Sequence, residues 1–204
     1  MTIRLHRVDL PDISRYKAAV AIDTETMGLE LNRDRLCVVQ LSPGDGTSDV
    51  VQIGAPAADA PNLKRLLADP NILKIFHYAR FDLGMLYKTF AVMPAPVYCT
   101  KIASRLSRTY TDKHGLKDLV REVLGQDLSK QQQSSDWGAP GLTDAQVSYA
   151  AADVFYLHAL REKLDAMLVR EDRAALAEAC FRFLPERVRL DLAGFAEEDI
   201  FAHS

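Results

Sequence analysis

The sequence predicts an α/β fold. A mixed sheet of five or six strands carries helices on both faces and a C-terminal helical extension. Three observations predict it. Short apolar runs rich in β-branched residues and bounded by turn residues come first, at Val20 to Asp23, Leu36 to Leu41 and Asp49 to Ile53. Helix-like and strand-like stretches then alternate as far as Tyr98. From Thr100 onward the pattern is almost entirely helical.

The first run, Ala18-Ala19-Val20-Ala21-Ile22, is short and wholly apolar, as a buried strand requires. Leu36 to Leu41 and Asp49 to Ile53 flank Pro43-Gly44-Asp45-Gly46, a turn signal that joins them as a hairpin-like link. Asn62 to Ala68 reads as a helix, Leu73 to Phe76 as a strand and Ala79 to Phe90 as a helix. A short strand follows at Val97-Tyr98. The remaining helices are Lys101 to Ser107, Leu116 to Leu124, one long helix from Asp144 to about Val169, and Asp172 to Phe183. The tail from Ala193 to Ser204 is weakly patterned. Residues 1–170 are expected to form one domain. Residues 171–204 are too few for a core of their own and are expected to pack on it as a helix and tail.

A chain of 204 residues, 48% apolar and 26% charged, has an ordinary globular composition. No run approaches membrane-spanning length, and the first residues lack the apolar stretch of a signal peptide. Cys37, Cys99 and Cys180 are odd in number and widely spaced, which fits neither a disulfide framework nor a zinc site. A cytoplasmic location is the expectation. A net charge of −3 argues against coating long nucleic acid by bulk electrostatics, but is compatible with a short nucleic acid held locally. Positive charge gathers at Lys101, Arg105, Arg108, Lys113, His114, Lys117 and Arg121.

Chemistry enters at Asp23-Thr24-Glu25, where the first apolar run ends. In a strand, residues two apart share a face, so the two carboxylates project side by side. Like charges that close call for a partner, and oxygen-only ligands favour Mg²⁺ or Mn²⁺. Asp82 lies in the first turns of a helix. Tyr149 and Asp153 are four residues apart on one helix face, and Ala150-Ala151-Ala152 between them keeps that helix slim.

In chain order these residues resemble the DEDD superfamily of 3′–5′ exonucleases. The branch is the tyrosine-bearing one, which includes ribonuclease D and the proofreading domains of DNA polymerases. Asp23-Thr24-Glu25-Thr26-Met27-Gly28-Leu29 matches the first motif, His77 and Asp82 the second, and Tyr149 with Asp153 the third. Leu116-Lys117-Asp118-Leu119-Val120 and the stretch from Leu128 to Trp137 extend the likeness to ribonuclease D over roughly residues 15–165. The histidine branch carries His at the position of Ser148, which leaves Tyr149 as the expected aromatic.

The resemblance implies a ribonuclease H-like fold and two divalent cations, Mg²⁺ or Mn²⁺. Asp23, Glu25 and Asp153 would hold one ion; Asp23 would bridge to the second, supported by Asp82. Tyr149 would orient the attacking water. Met27, Gly28 and Leu29 are expected at the substrate, Leu29 as a wedge against the terminal bases, and His77 at the sugar or phosphate of the terminal nucleotide. Lys130 and Gln132 align near the substrate path of ribonuclease D. Two departures stand out: Ser134 replaces a common Arg, and Cys99 replaces an Asp before Thr100.

Ribonuclease D carries further helical domains for which 204 residues leave no room, so the resemblance narrows to the stand-alone nano-RNase C type. That type implies short single-stranded RNA as substrate, down to dinucleotides and released as nucleoside 5′-monophosphates. It also implies a higher homo-oligomer such as an octamer, and no membrane partner. Arg108 and the basic stretch around it are then expected to cap a substrate 5′ phosphate or to face a neighbouring subunit. Trimming of tRNA or other RNA 3′ ends, a DNA 3′–5′ exonuclease, and a catalytically silent binding subunit stay open as alternatives.

Overall fold

A computed structural model describes residues 2–54, 59–128, 132 and 134–203. Six strands form one sheet in the order β1-β4-β3-β2-β5-β6. They are β1 (Thr2–Arg7), β2 (Ala19–Thr26), β3 (Leu36–Ser42), β4 (Thr47–Gln52), β5 (Leu73–Phe76) and β6 (Val97–Cys99). β2, β3 and β4 run antiparallel in turn, whereas β1, β5 and β6 join as parallel neighbours. β3 is buried along its whole length, as expected for a central strand covered on both faces.

The helices are α1 (Pro61–Ala68), α2 (Ala79–Phe90), α3 (Thr100–Ser107), α4 (Leu116–Leu119), α5 (Asp144–Phe155), α6 (Leu157–Arg170) and α7 (Ala174–Leu190). α5 lies across β1 to β4 on one face, and α2 packs against β2, β5 and β6. Cys37, Val38, Val50, Ala150, Ala151 and Trp137 form the apolar layer beneath α5. The larger core joins Val20, Ile22, Leu41, Ile75 and Phe76 to the helices of the other side.

Four features depart from the sequence expectations. β1 was not expected, because only Ile3 and Leu5 in Thr2–Arg7 are apolar and the strand is mostly exposed. Polar contacts to β4 hold it instead: His6 Nε2 lies 2.9 Å and Arg4 Nη1 3.8 Å from Asp49 Oδ1. The long helix expected from Asp144 divides at Tyr156 (ψ −6°). The break lets α5 follow the sheet while α6 packs on α3 and α7. Leu116 to Leu124 is α-helical only to Leu119 and continues as a π-helical turn over Val120–Leu124. α7 runs on through Pro185 to Leu190, because its buried stripe of Ala177, Phe181, Leu184 and Val188 outweighs one interrupted backbone bond.

Among the described residues, no helix is long and apolar enough to cross a membrane.

Candidate active site

β2 runs four residues further than its apolar part, from Ile22 to Thr26, so Asp23 and Glu25 belong to the strand itself. Both face α5, where a capping box of Thr143 and Gln146 fixes the helix start. Ala150 and Ala151 are fully buried against the sheet, and this close approach brings Asp153 to the strand acids. One carboxylate oxygen from each of Asp23, Glu25 and Asp153 lies within 4.8 Å of the other two. Thr24, between the strand acids, points the opposite way. Its hydroxyl donates to Asp82 Oδ1 at 2.6 Å, which brings the fourth acid in from α2. Buried Gln40 donates to Asp23 Oδ2 at 3.3 Å from β3.

Burial is the main reason that all four carboxyls titrate high. It lifts Asp23 well above the usual range, reinforced by Asp82, Asp153 and Glu25. Glu25 is pushed up to about 9 by burial and then by Asp153 and Asp82. Asp82 and Asp153 rise to about 7, with the hydrogen bonds from Thr24 and Tyr149 opposing burial. Among the described residues, no Lys, Arg or His forms an ion pair with any of them. Four crowded carboxylates without a cationic side chain form an all-oxygen donor set that fits hard divalent cations.

Tyr149, one turn before Asp153, lines the same cavity as the Asp153 carboxyl, and its ring centroid lies 6.0 Å from that of Trp137. Burial and the surrounding acids raise its phenol above the ordinary tyrosine value, so the hydroxyl keeps its proton.

The four acids and Tyr149 line a cavity of about 390 Å³ together with Leu29 and His77. Leu29 is 83% exposed at the rim, where the rest of its loop is held tightly. A Cβ on Gly28 would collide with the Asp34 carboxylate, which is why only glycine fits there. Met27 is exposed beside Gly138 and does not line the cavity. His77 is mostly enclosed, and its Nδ1 lies 2.9 Å from Thr100 Oγ1. Burial, then Lys101, lowers it to about 3, so the ring is neutral. Gln132 accepts from Ser135 Oγ within its own turn. Lys130 lies outside the described residues.

Arg108 is only 1% exposed and turns inward, bonding to Ser104, Lys113 and Glu122. A guanidinium fully engaged within the chain cannot also meet a phosphate, which removes Arg108 from the expected substrate contacts. Other cations reach the cavity. Lys101 and Lys117 line the cavity with no ion pair among the described residues, and Lys101 Nζ sits 4.3 Å from the Tyr78 ring centroid. Tyr78 and Phe81 add aromatic surface. Tyr78 takes a left-handed backbone (φ 67°), uncommon for a bulky residue, and is 49% exposed. Its place between His77 and Ala79 in the second motif was the available signal. Cys99, the unexpected replacement, is buried at the position before α3 and makes no side-chain cap there.

Residues 10–169 match the family model described as 3′-5′ exonuclease. The chain belongs to the 3′–5′ exonuclease family. It is 38% identical over 188 residues to ribonuclease D of Acidiphilium cryptum, covering 86% of this chain and 47% of that protein. The chain thus spans under half the length of the curated ribonucleases D that it matches. Among solved structures it is similar to Brucella melitensis NrnC with bound Mg²⁺, at 60% identity and a TM-score of 0.96. It is likewise similar to Brucella melitensis NrnC bound to pGG, at 60% identity and 0.97, and each match covers 100% of both chains. The fold is therefore the ribonuclease H-like fold of these exonucleases, as the motifs implied.

Proposed function

We propose that this chain is a two-metal 3′–5′ exoribonuclease. It releases nucleoside 5′-monophosphates from short oligoribonucleotides, down to dinucleotides. The observation that carries the reading is the meeting of Asp23, Glu25 and Asp153 within 4.8 Å, with Asp82 bonded alongside through Thr24. Asp23, Glu25 and Asp153 would hold one divalent cation, and Asp23 with Asp82 a second. Such ions, Mg²⁺ or Mn²⁺, supply charge neutralisation for the attacking and leaving oxygens of an in-line displacement.

The chain's own residues supply the rest. Tyr149 keeps its proton, so it orients the attacking water by hydrogen bonding and does not abstract the proton itself. The water oxygen bonds to phosphorus, the bond from phosphorus to the 3′ oxygen of the preceding nucleotide breaks, and that oxygen leaves with a proton. Lys101 and Lys117, which line the cavity, offer ammonium groups to substrate phosphates. Leu29, Phe81 and Tyr78 offer apolar and aromatic surface to the bases. The short-RNA reading draws support from the pGG-bound Brucella protein, which this chain matches over its full length.

Trimming of longer RNA 3′ ends is the second reading, favoured by the 38% identity to ribonuclease D. A DNA 3′–5′ exonuclease stays a third, because the acids address phosphate alone. A higher homo-oligomer such as an octamer also belongs to the proposal. A groove of about 950 Å³ between β6, α6 and α7, with Val97, Val169 and Phe181 in its walls, offers apolar surface for it. The test is incubation of 5′-labelled RNA and matched DNA with Mg²⁺ or Mn²⁺. Stepwise shortening of RNA from the 3′ end, lost in Asp23→Ala, is expected; equal turnover in that variant would sink the metal assignment.

A further inference from the structure

Arg108 is the largest fully buried side chain among the described residues, and it lies in the basic stretch expected at the substrate. It follows the last turn of α3, where its N–H donates to the Ser104 carbonyl at 2.8 Å. One guanidinium nitrogen donates to Ser104 Oγ at 3.0 Å and to the Lys113 carbonyl at 3.1 Å. The other pairs with Glu122 in the π-helical turn. A single side chain thus joins three segments: the end of α3, the loop before α4, and the turn after it. Between the second and third of these lie Gly115, Leu116 and Lys117, which form one wall of the acid cavity. His114 repeats the tie from the same loop, with Nδ1 2.9 Å from Ser104 Oγ.

We propose that the pair formed by buried Arg108 and the partly exposed Glu122 is a positioning device for substrate binding: it sets the α4 wall so that Lys117 faces the acid cavity, without either residue touching substrate. Three lines of reasoning meet here. A planar fork suits several acceptors on different segments at once, and an ammonium on a flexible stem does not. A buried guanidinium is retained only where its acceptors are satisfied, so the cavity wall and the π-helical turn are fixed together. π-helical turns recur beside functional sites, and this one brings Glu122 to Arg108 directly after α4, the helix that carries Lys117. The proposal rests on the reading of the cavity as an RNA site.

The test is steady-state kinetics on a dinucleotide with Arg108→Ala, Glu122→Gln and Lys117→Ala, singly and combined. Glu122→Gln keeps the shape of a side chain that is one-third exposed, and so reads the pair even where Arg108→Ala does not fold. Glu122→Gln is expected to raise KM by about tenfold or more, with kcat kept within about twofold. Arg108→Lys recovers little of the Arg108→Ala loss. Once Lys117 is Ala, neither change adds further, because both act through that residue. An unchanged KM in Glu122→Gln, or a full Glu122→Gln effect in the Lys117→Ala background, overturns the proposal. If the wild-type protein turns over no RNA, it is the functional reading that has failed, and an active wild type with a normal Glu122→Gln variant isolates failure of the positioning role.

Discussion

Thr24 and Asp82, 58 residues apart in sequence, are joined by a hydrogen bond of 2.6 Å. Strand alternation explains its importance. Asp23 and Glu25 face α5, so the residue between them faces α2, and a hydroxyl there holds the fourth acid. Thr24→Val keeps the shape and removes the donor. Without that bond, burial lifts the Asp82 carboxyl further, which weakens its hold on a cation. Activity at limiting Mg²⁺ is expected to fall about 10- to 100-fold and to recover partly as Mg²⁺ is raised. A metal titration of initial rates checks this, and an unchanged titration curve would contradict it.

The four acids also make the metal-free protein sensitive to pH. Their folded values lie above those of ordinary carboxyls, so the fold favours the protonated forms. That stabilisation is complete below about pH 4 and is lost as pH rises through about 7 and then about 9. In chelator, Tm is expected to fall across this window, and Mg²⁺ or Mn²⁺ should restore it more at pH 8 than at pH 5. Asp23→Asn removes one crowded charge, so it should abolish turnover yet raise the metal-free Tm at pH 8. Each kcal/mol relieved corresponds to about 2–4 °C in a chain of this size. Thermal melts with and without cation decide the matter, and a cation effect independent of pH would contradict the account.

Leu29 should separate binding from folding. At 83% exposure it contributes little to the core, yet it stands at the cavity rim. Leu29→Ala is expected to leave Tm unchanged and to raise KM by roughly 5- to 100-fold, matching about 1–3 kcal/mol of base contact. A lowered Tm with an unchanged KM would make Leu29 a structural residue.

What was legible in the sequence followed from local rules. Asp23 and Glu25 share a strand face and Tyr149 and Asp153 a helix face, so each pair could be placed from spacing alone. The central strands were legible because burial on both faces leaves mostly apolar runs, as in β3, where five of seven residues are apolar. What escaped notice depends on tertiary contact. β1 is held by polar groups that converge on Asp49, which leaves no apolar pattern to read. The division at Tyr156 and the run of α7 through Pro185 answer to packing against distant elements. Within one charged stretch, Arg108 turns inward while Lys101 and Lys117 face the cavity, and charge pattern alone carries no such direction.

The most direct test of the central claim is a length series of 5′-labelled RNAs, from the dinucleotide upward, turned over with Mg²⁺ or Mn²⁺. A short-RNA 3′–5′ exonuclease predicts cleavage from the 3′ end to nucleoside 5′-monophosphates, with kcat/KM highest for the dinucleotide. Turnover that rises with length and stops before the dinucleotide, or release from the 5′ end, would contradict it.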